Sequence, residues 1–173
     1  MPVTPVASSV APFDEPFAGV LLDMDGTLID SIPAVVRSWL RWCEEYDVDP
    51  ARLTGFHGVS ASNVIAELLP EERRVEAFAR IREIEVNDVE GITLLPGAVD
   101  LLAALADGRV PTAIVTSCTT DFAQVSIAAT RLSLPAALVT ASDTERGKPW
   151  PDPWLEGARR LGVDPGDCIV VED

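Results

Sequence analysis

Basic residues are scarce in this sequence: 13 Lys and Arg stand against 28 Asp and Glu, a formal charge of −15 at pH 7. So acidic a surface repels nucleic-acid backbones and anionic lipid headgroups, and no local basic patch reverses the sign, so neither is an expected partner. Cysteine is sparse as well. Cys43, Cys118 and Cys168 are odd in number, far apart and in no metal-ligand spacing, which argues against a secreted disulfide framework and for a reducing compartment. Nowhere do about 18 uncharged apolar residues run together, as a membrane-spanning helix requires, and the N-terminal residues have neither the basic start nor the apolar stretch of a signal peptide. A soluble cytoplasmic protein is expected. What is present, 173 residues of which 47% are hydrophobic, suffices for one compact domain with a small subdomain and speaks against a disordered tail.

Residues 1–16 carry four prolines, small polar residues and an acidic pair, and read as a flexible leader with nothing to bury. Phe17-Ala-Gly-Val-Leu-Leu-Asp23 is an apolar run ending in acid, the pattern of a strand buried on both faces. From Pro33 to Tyr46, Val35, Val36, Trp39, Leu40 and Cys43 recur at helical spacing and predict an apolar stripe, with Arg37, Arg41, Glu44 and Glu45 off it. Two more helices are predicted over Ser62–Leu69 and Glu71–Val89, so 32–95 reads as an all-helical insert. Beyond it the pattern alternates: helix Ala98–Ala106 stopped by Gly108, strand Val110–Ser117, helix from a Thr119–Asp121 cap to Ala129, strand Ala137–Thr140, helix Trp154–Leu161 capped by Asp152, strand Cys168–Val171. Alternating strand and helix predict an α/β core with a parallel, Rossmann-like sheet over 17–31 and 96–173.

Several predicted strands end in polar groups: Asp23, then Thr116 and Ser117, then Glu172 and Asp173. In an open parallel sheet these C-terminal edges form the ligand crevice, so residues distant in sequence converge there. Asp23, Asp25 and Asp173 brought together would repel or take up protons unless a hard divalent cation sits among them, and oxygen-only ligands favour Mg²⁺ over Zn²⁺. Asp23, at a strand end, can attack phosphorus, and Asp25, freed by the Asp-Gly turn, can protonate the leaving alkoxide and later deprotonate water. Gly26 permits positive φ and Thr27 can bond across the turn. Thr116, amides at the following helix N-terminus and Lys148 are the donors available to a phosphoryl group in transfer. Taken singly, each feature is an ordinary turn, cap or frayed end; four in order, three at strand ends, argue against coincidence.

These residues resemble the haloacid dehalogenase superfamily of phosphatases. The motifs match in order as Asp23-Met-Asp-Gly-Thr-Leu-Ile-Asp30, Ile114-Val-Thr-Ser117, Gly147-Lys148-Pro149 and Ile169-Val-Val-Glu-Asp173, and the resemblance covers Val20 to Asp173. It implies Asp23 as nucleophile, Asp25 as acid and base, Thr116, Ser117 and Lys148 as phosphate ligands, and Mg²⁺ held by Asp23, the Asp25 carbonyl and Asp173. It makes the helical insert a cap that closes over the substrate. Phe56-His57-Gly58, Leu95-Pro96-Gly97-Ala98 and Gly147 to Gly157 look most like the sugar and polyol phosphatases acting on 2-deoxyglucose 6-phosphate or glycerol 3-phosphate, so the expected partner is a small phosphorylated metabolite.

The β-phosphoglucomutase branch is the alternative, a phosphosugar isomerase. Against it, Val35 stands where the resemblance would put its histidine, and Ala61 where its phosphate-gripping arginine would be, with Arg52 a substitute grip from a different direction. Dehalogenases do not need Asp25, and a phosphonatase would need a cap lysine. Members of the superfamily continue past the Glu-Asp motif with a further helix and strand. By that resemblance the C-terminal part of the core is missing, so exposed apolar surface and an unpaired edge are expected beside 168–171, in a fragment or in an inactive chain surviving as a binding module.

Other residues have plainer roles. His57, the lone histidine, is a structural hydrogen-bonder unless the resemblance places it against substrate. Trp39 and Trp42 are expected to pack the insert, and Trp150 and Trp154 to clamp the Lys148 loop to the sheet. Glu83 and Glu85 read as a solvated helix face, with hydrogen bonds to polyol hydroxyls the alternative. Cys118 lies beside the predicted phosphate site and is a candidate for oxidation.

Overall fold

The computed structural model describes residues 16–56 and 58–173. Except for Pro16, the predicted leader lies outside the described residues, as does His57. Four parallel strands form the central sheet in the order β5-β4-β1-β6: β1 (Gly19–Leu22), β4 (Thr112–Val115), β5 (Ala137–Val139) and β6 (Cys168–Val171). β1 and β4 are buried along their whole length, which is why they read as unbroken apolar runs.

Successive residues point to opposite faces of the sheet. Val20, Leu22 and Ile114 meet α4 (Ala98–Asp107) and α5 (Thr120–Thr130) through Leu102, Phe122 and Ala123. Leu21, Ala113 and Val115 meet α6 (Asp152–Leu161) through Ala158. Each leucine so enclosed contributes roughly 2 kcal/mol of burial. Helix α6 approaches closely because Gly157 has no side chain; a Cβ there would lie 3.0 Å from Val115 Cγ2 and 3.1 Å from Leu21 Cδ2. The expected α/β class and parallel order are found; β1, β4 and β5 are shorter than predicted, and β6 has the predicted bounds.

The caps differ in detail. Thr119 caps α5 as predicted, accepting from the Phe122 N–H. Asp152 is not the cap of α6: Pro151 holds that position, and Asp152 is the first helical residue, its carboxylate accepting from Arg146 at 3.0 Å. Gly162 ends α6 in the left-handed region, with φ 71°.

Between β1 and α4 lie α1 (Ile32–Tyr46), α2 (Ala61–Leu68) and α3 (Glu71–Asn87). They enclose a second core of Trp42, Tyr46, Val64, Ile65, Leu68 and Ile81, where the Trp42 indole donates to the Ala77 carbonyl at 2.9 Å. At the margins of this segment Ile29–Asp30 (β2) pairs antiparallel with Thr93–Leu94 (β3). Two residues are too few to show a period, so this ladder has no sequence signature.

The predicted stripe of α1 is rotated. Ala34, Ser38, Trp42, Cys43 and Tyr46 are buried, whereas Ile32, Val36 and Leu40 are about half exposed. Spaced four apart, they line a cavity together with Val35 and Trp39. Val170 and Val171 of edge strand β6 are also exposed.

Candidate active site

Asp23 follows β1 directly, and its N–H donates to the Val171 carbonyl at 2.9 Å, which ties the first motif to the last. Its carboxylate is buried and meets the Lys148 ammonium at 2.6 Å. Lys148, the only lysine in the chain, is 6% exposed. It also pairs with Glu172 at 2.9 Å and sits over the Trp154 ring, 4.2 Å from its centroid. Trp154 therefore holds the Lys148 loop as expected; Trp150 does not, being 54% exposed with Arg146 stacked on it.

Asp25 has both oxygens engaged by hydroxyls. Ser31 donates to Oδ1 at 2.6 Å and Thr116 to Oδ2 at 2.8 Å, and the Cys118 N–H in turn donates to Thr116 Oγ1 at 3.1 Å. Thr116, expected to be a phosphate donor, thus bonds to Asp25. Ser117 Oγ is buried without a partner, a cost that an anion accepting its proton would remove. Thr27 Oγ1 is also unpartnered and makes no bond across the turn.

Burial pushes the Asp23 carboxyl above the usual range, against the pull of Lys148. Burial raises Asp25 as well, opposed by the hydroxyls of Ser31 and Thr116. An Asp25 that holds a proton more readily than usual is suited to giving one up. Burial, then the charge of Asp25, pushes the Cys118 thiol far up; it is not the oxidation-prone thiolate its position suggested.

These groups border a cavity of about 570 Å³ whose lining includes Asp23, Asp25, Thr116, Ser117, Glu172 and Asp173. Lys148 lines an adjoining hollow with Trp154 and Glu172. Among the described residues no three Asp, Glu, His or Cys side chains converge as a ready metal cluster. The predicted set of two carboxylates and one carbonyl falls outside that description. Its all-oxygen donors suit Mg²⁺, which commonly takes one or two carboxylates and completes its shell with water and phosphate. The turn is shaped to receive Asp173: Gly26 has φ +95°, and a Cβ there would lie 2.6 Å from Asp173 Oδ2. Gly26→Ala is expected to cost about 1–3 kcal/mol in urea unfolding through backbone strain and this clash; an unchanged midpoint would show that the turn relaxes.

Ser31 escaped the sequence reading and carries no local signal. Glu172 was placed at its strand end without a role, and it pairs with Lys148. Glu85, expected on a solvated face, is 6% exposed and lines the cavity. It continues the buried spacing Ala77, Ile81, which was the available clue. Glu83 does lie on the exposed face, paired with Arg80 at 2.7 Å. Arg52 donates to the Glu67 carbonyl at 3.3 Å and does not line the cavity.

Residues 20–173 match the family model of haloacid dehalogenase-like hydrolases. The chain is 40% identical to hexitol phosphatase A of Escherichia coli over 159 residues, covering 90% of this chain and 74% of that protein. It is 33% identical to glycerol-1-phosphate phosphohydrolase 2 of Saccharomyces cerevisiae, covering 87% and 64%. The crystal structure of a hydrolase from Pseudomonas syringae superposes with a TM-score of 0.82 at 28% identity, covering 91% of this chain and 76% of that one. No helix among the described residues is long and apolar enough to cross a membrane. With its sheet, its ordered acidic loops and this match over nearly the whole length, the chain belongs to the haloacid dehalogenase-like hydrolases.

Proposed function

We propose that the chain hydrolyses the phosphate monoester of a small sugar or polyol through an aspartyl-phosphate. The observation that carries it is the buried Asp23–Lys148 pair, joined by the exposed Glu172, beside a hydroxyl-clamped Asp25, at the C-terminal ends of β1, β4 and β6. The named phosphatase and phosphohydrolase relatives support it.

In the first step an Asp23 oxygen bonds to phosphorus as the bond to the leaving oxygen breaks, and Asp25 delivers its proton to that oxygen. In the second, Asp25 takes a proton from water, whose oxygen attacks phosphorus; inorganic phosphate leaves and Asp23 is regenerated. Lys148, the Ser117 hydroxyl and amides at the start of α5 neutralise the phosphoryl oxygens. Several carboxylates and one lysine leave this end net negative, so a dianionic ester needs a cation. Mg²⁺, held by Asp23, the Asp25 carbonyl and Asp173, supplies that charge neutralisation. Segment 32–95 acts as the cap, enclosing the leaving group and excluding water.

A mutase must grip two phosphates. The described cavity lining contains no Lys or Arg, and Val35 and Ala61 both face it, so this second reading is not favoured. The test is phosphate release from p-nitrophenyl phosphate and a panel of sugar and polyol phosphates with Mg²⁺. Turnover is expected without a bisphosphate activator, falling by about 100-fold or more with chelator and returning on Mg²⁺ addition. No release from any ester would overturn the proposal and favour a binding module.

A further inference from the structure

Among the described residues that segment 32–95 contributes to the cavity, Glu85 is the only ionisable one; the rest, such as Trp39, Leu53, Phe56 and Val59, are largely apolar. Glu85 is more than nine-tenths buried and makes no ion pair among the described residues. Its neighbour Arg82 pairs with Asp121. Burial, then the charge of Asp25, leaves the carboxyl pushed up to about 7, against the pull of the Trp39 indole. A buried acid without a cation is costly. Here it sits in a hydrocarbon wall within electrostatic reach of Asp25, where the leaving oxygen has to receive its proton.

We propose that Glu85 is a specificity-determining residue that accepts hydrogen bonds from hydroxyls of the leaving alcohol and rejects leaving groups bearing a second anionic group. This rests on the phosphatase reading above and narrows its substrate class to uncharged, hydroxyl-bearing alcohols. A hydroxyl-rich chain adds donors to an acceptor for which the Trp39 indole is the one donor among the described residues, and no hydrocarbon neighbour can do the same. A carboxylate or second phosphate would meet an acid in a described lining with no basic side chain, and like charges in such a site are strongly disfavoured.

The test compares wild type, Glu85→Gln and Glu85→Ala with Mg²⁺ on sorbitol 6-phosphate, p-nitrophenyl phosphate and phosphoglycolate. Hydrogen bonds to charged groups imply that the ratio of kcat/KM for sorbitol 6-phosphate to that for p-nitrophenyl phosphate falls by about 10-fold or more, chiefly through KM. The ratio for phosphoglycolate over p-nitrophenyl phosphate should rise. Equal losses on all three esters would overturn the proposal and make Glu85 a residue acting through Asp25. Unchanged ratios would overturn it as well. Failure of wild type on every ester would sink the phosphatase reading instead. Glu85 is then judged by calorimetry in an Asp23→Asn chain, where Glu85→Gln should weaken sorbitol 6-phosphate binding by about tenfold and equal affinities would reject its role.

Discussion

Asp23→Asn is expected to stop phosphate release, with kcat reduced by about 10⁴-fold or more, as when a nucleophile that defines its pathway is removed. The amide has the volume of the carboxylate and retains an oxygen that can accept from Lys148, so the cavity stays formed, but its oxygen is too weak a nucleophile to attack phosphorus. The fold should not suffer. Burial holds the Asp23 carboxyl above its ordinary value, so the charged form is disfavoured in the folded chain. Its contribution to stability is greatest below the unfolded value and is lost as pH rises through the folded one. Losing this disfavoured charge offsets the lost pairing with Lys148, which Glu172 still meets at 2.9 Å, so little change in stability is expected at neutral pH. Phosphate release and urea unfolding across pH measure both; activity within about tenfold of wild type would reject Asp23 as nucleophile.

Lys148→Met should damage activity and stability together. The ammonium sits between Asp23 at 2.6 Å and Glu172 at 2.9 Å, and without it two acids face each other, one of them fully enclosed. Removing one partner of a buried pair costs about 3–5 kcal/mol. Glu172 is 41% exposed and can turn to water, so about 3 kcal/mol is expected. The packing of the aliphatic stem against Trp154 survives in methionine; the cation held over the ring does not. Lys148 is also the chief influence holding the Asp23 carboxyl down. Its loss lets that carboxyl rise, so the acid limb of residual activity should move to higher pH. A variant as stable as wild type, with an unmoved limb, would show that Lys148 and Asp23 are not coupled.

Much of this was legible beforehand where the information is local. β1 and β4 declare themselves because a strand buried on both faces must be apolar throughout, and α5 announces its start through the Thr119 cap. Asp23, Asp25, Ser117 and Lys148 were legible as residue types at strand and turn ends. The rotation of α1 was not: Val36 and Leu40 are as apolar as Trp42, and only the positions of α2 and α3 decide which of them is enclosed. Glu85 was misjudged for the same reason, since a carboxylate in a highly charged helix reads as solvated unless its neighbours in space are known.

The amino-acid order by itself determined the class of sheet, the order of the acidic loops and the chemistry available to them, because periodicity, caps and residue type act over a few positions. Tertiary structure alone decided that Thr116 clamps Asp25 across 91 positions and that Lys148 reaches Asp23 across 125. It also decided that Glu85 turns inward. These are contacts between segments far apart in the chain, and their geometry exists only once the sheet has brought the strand ends together.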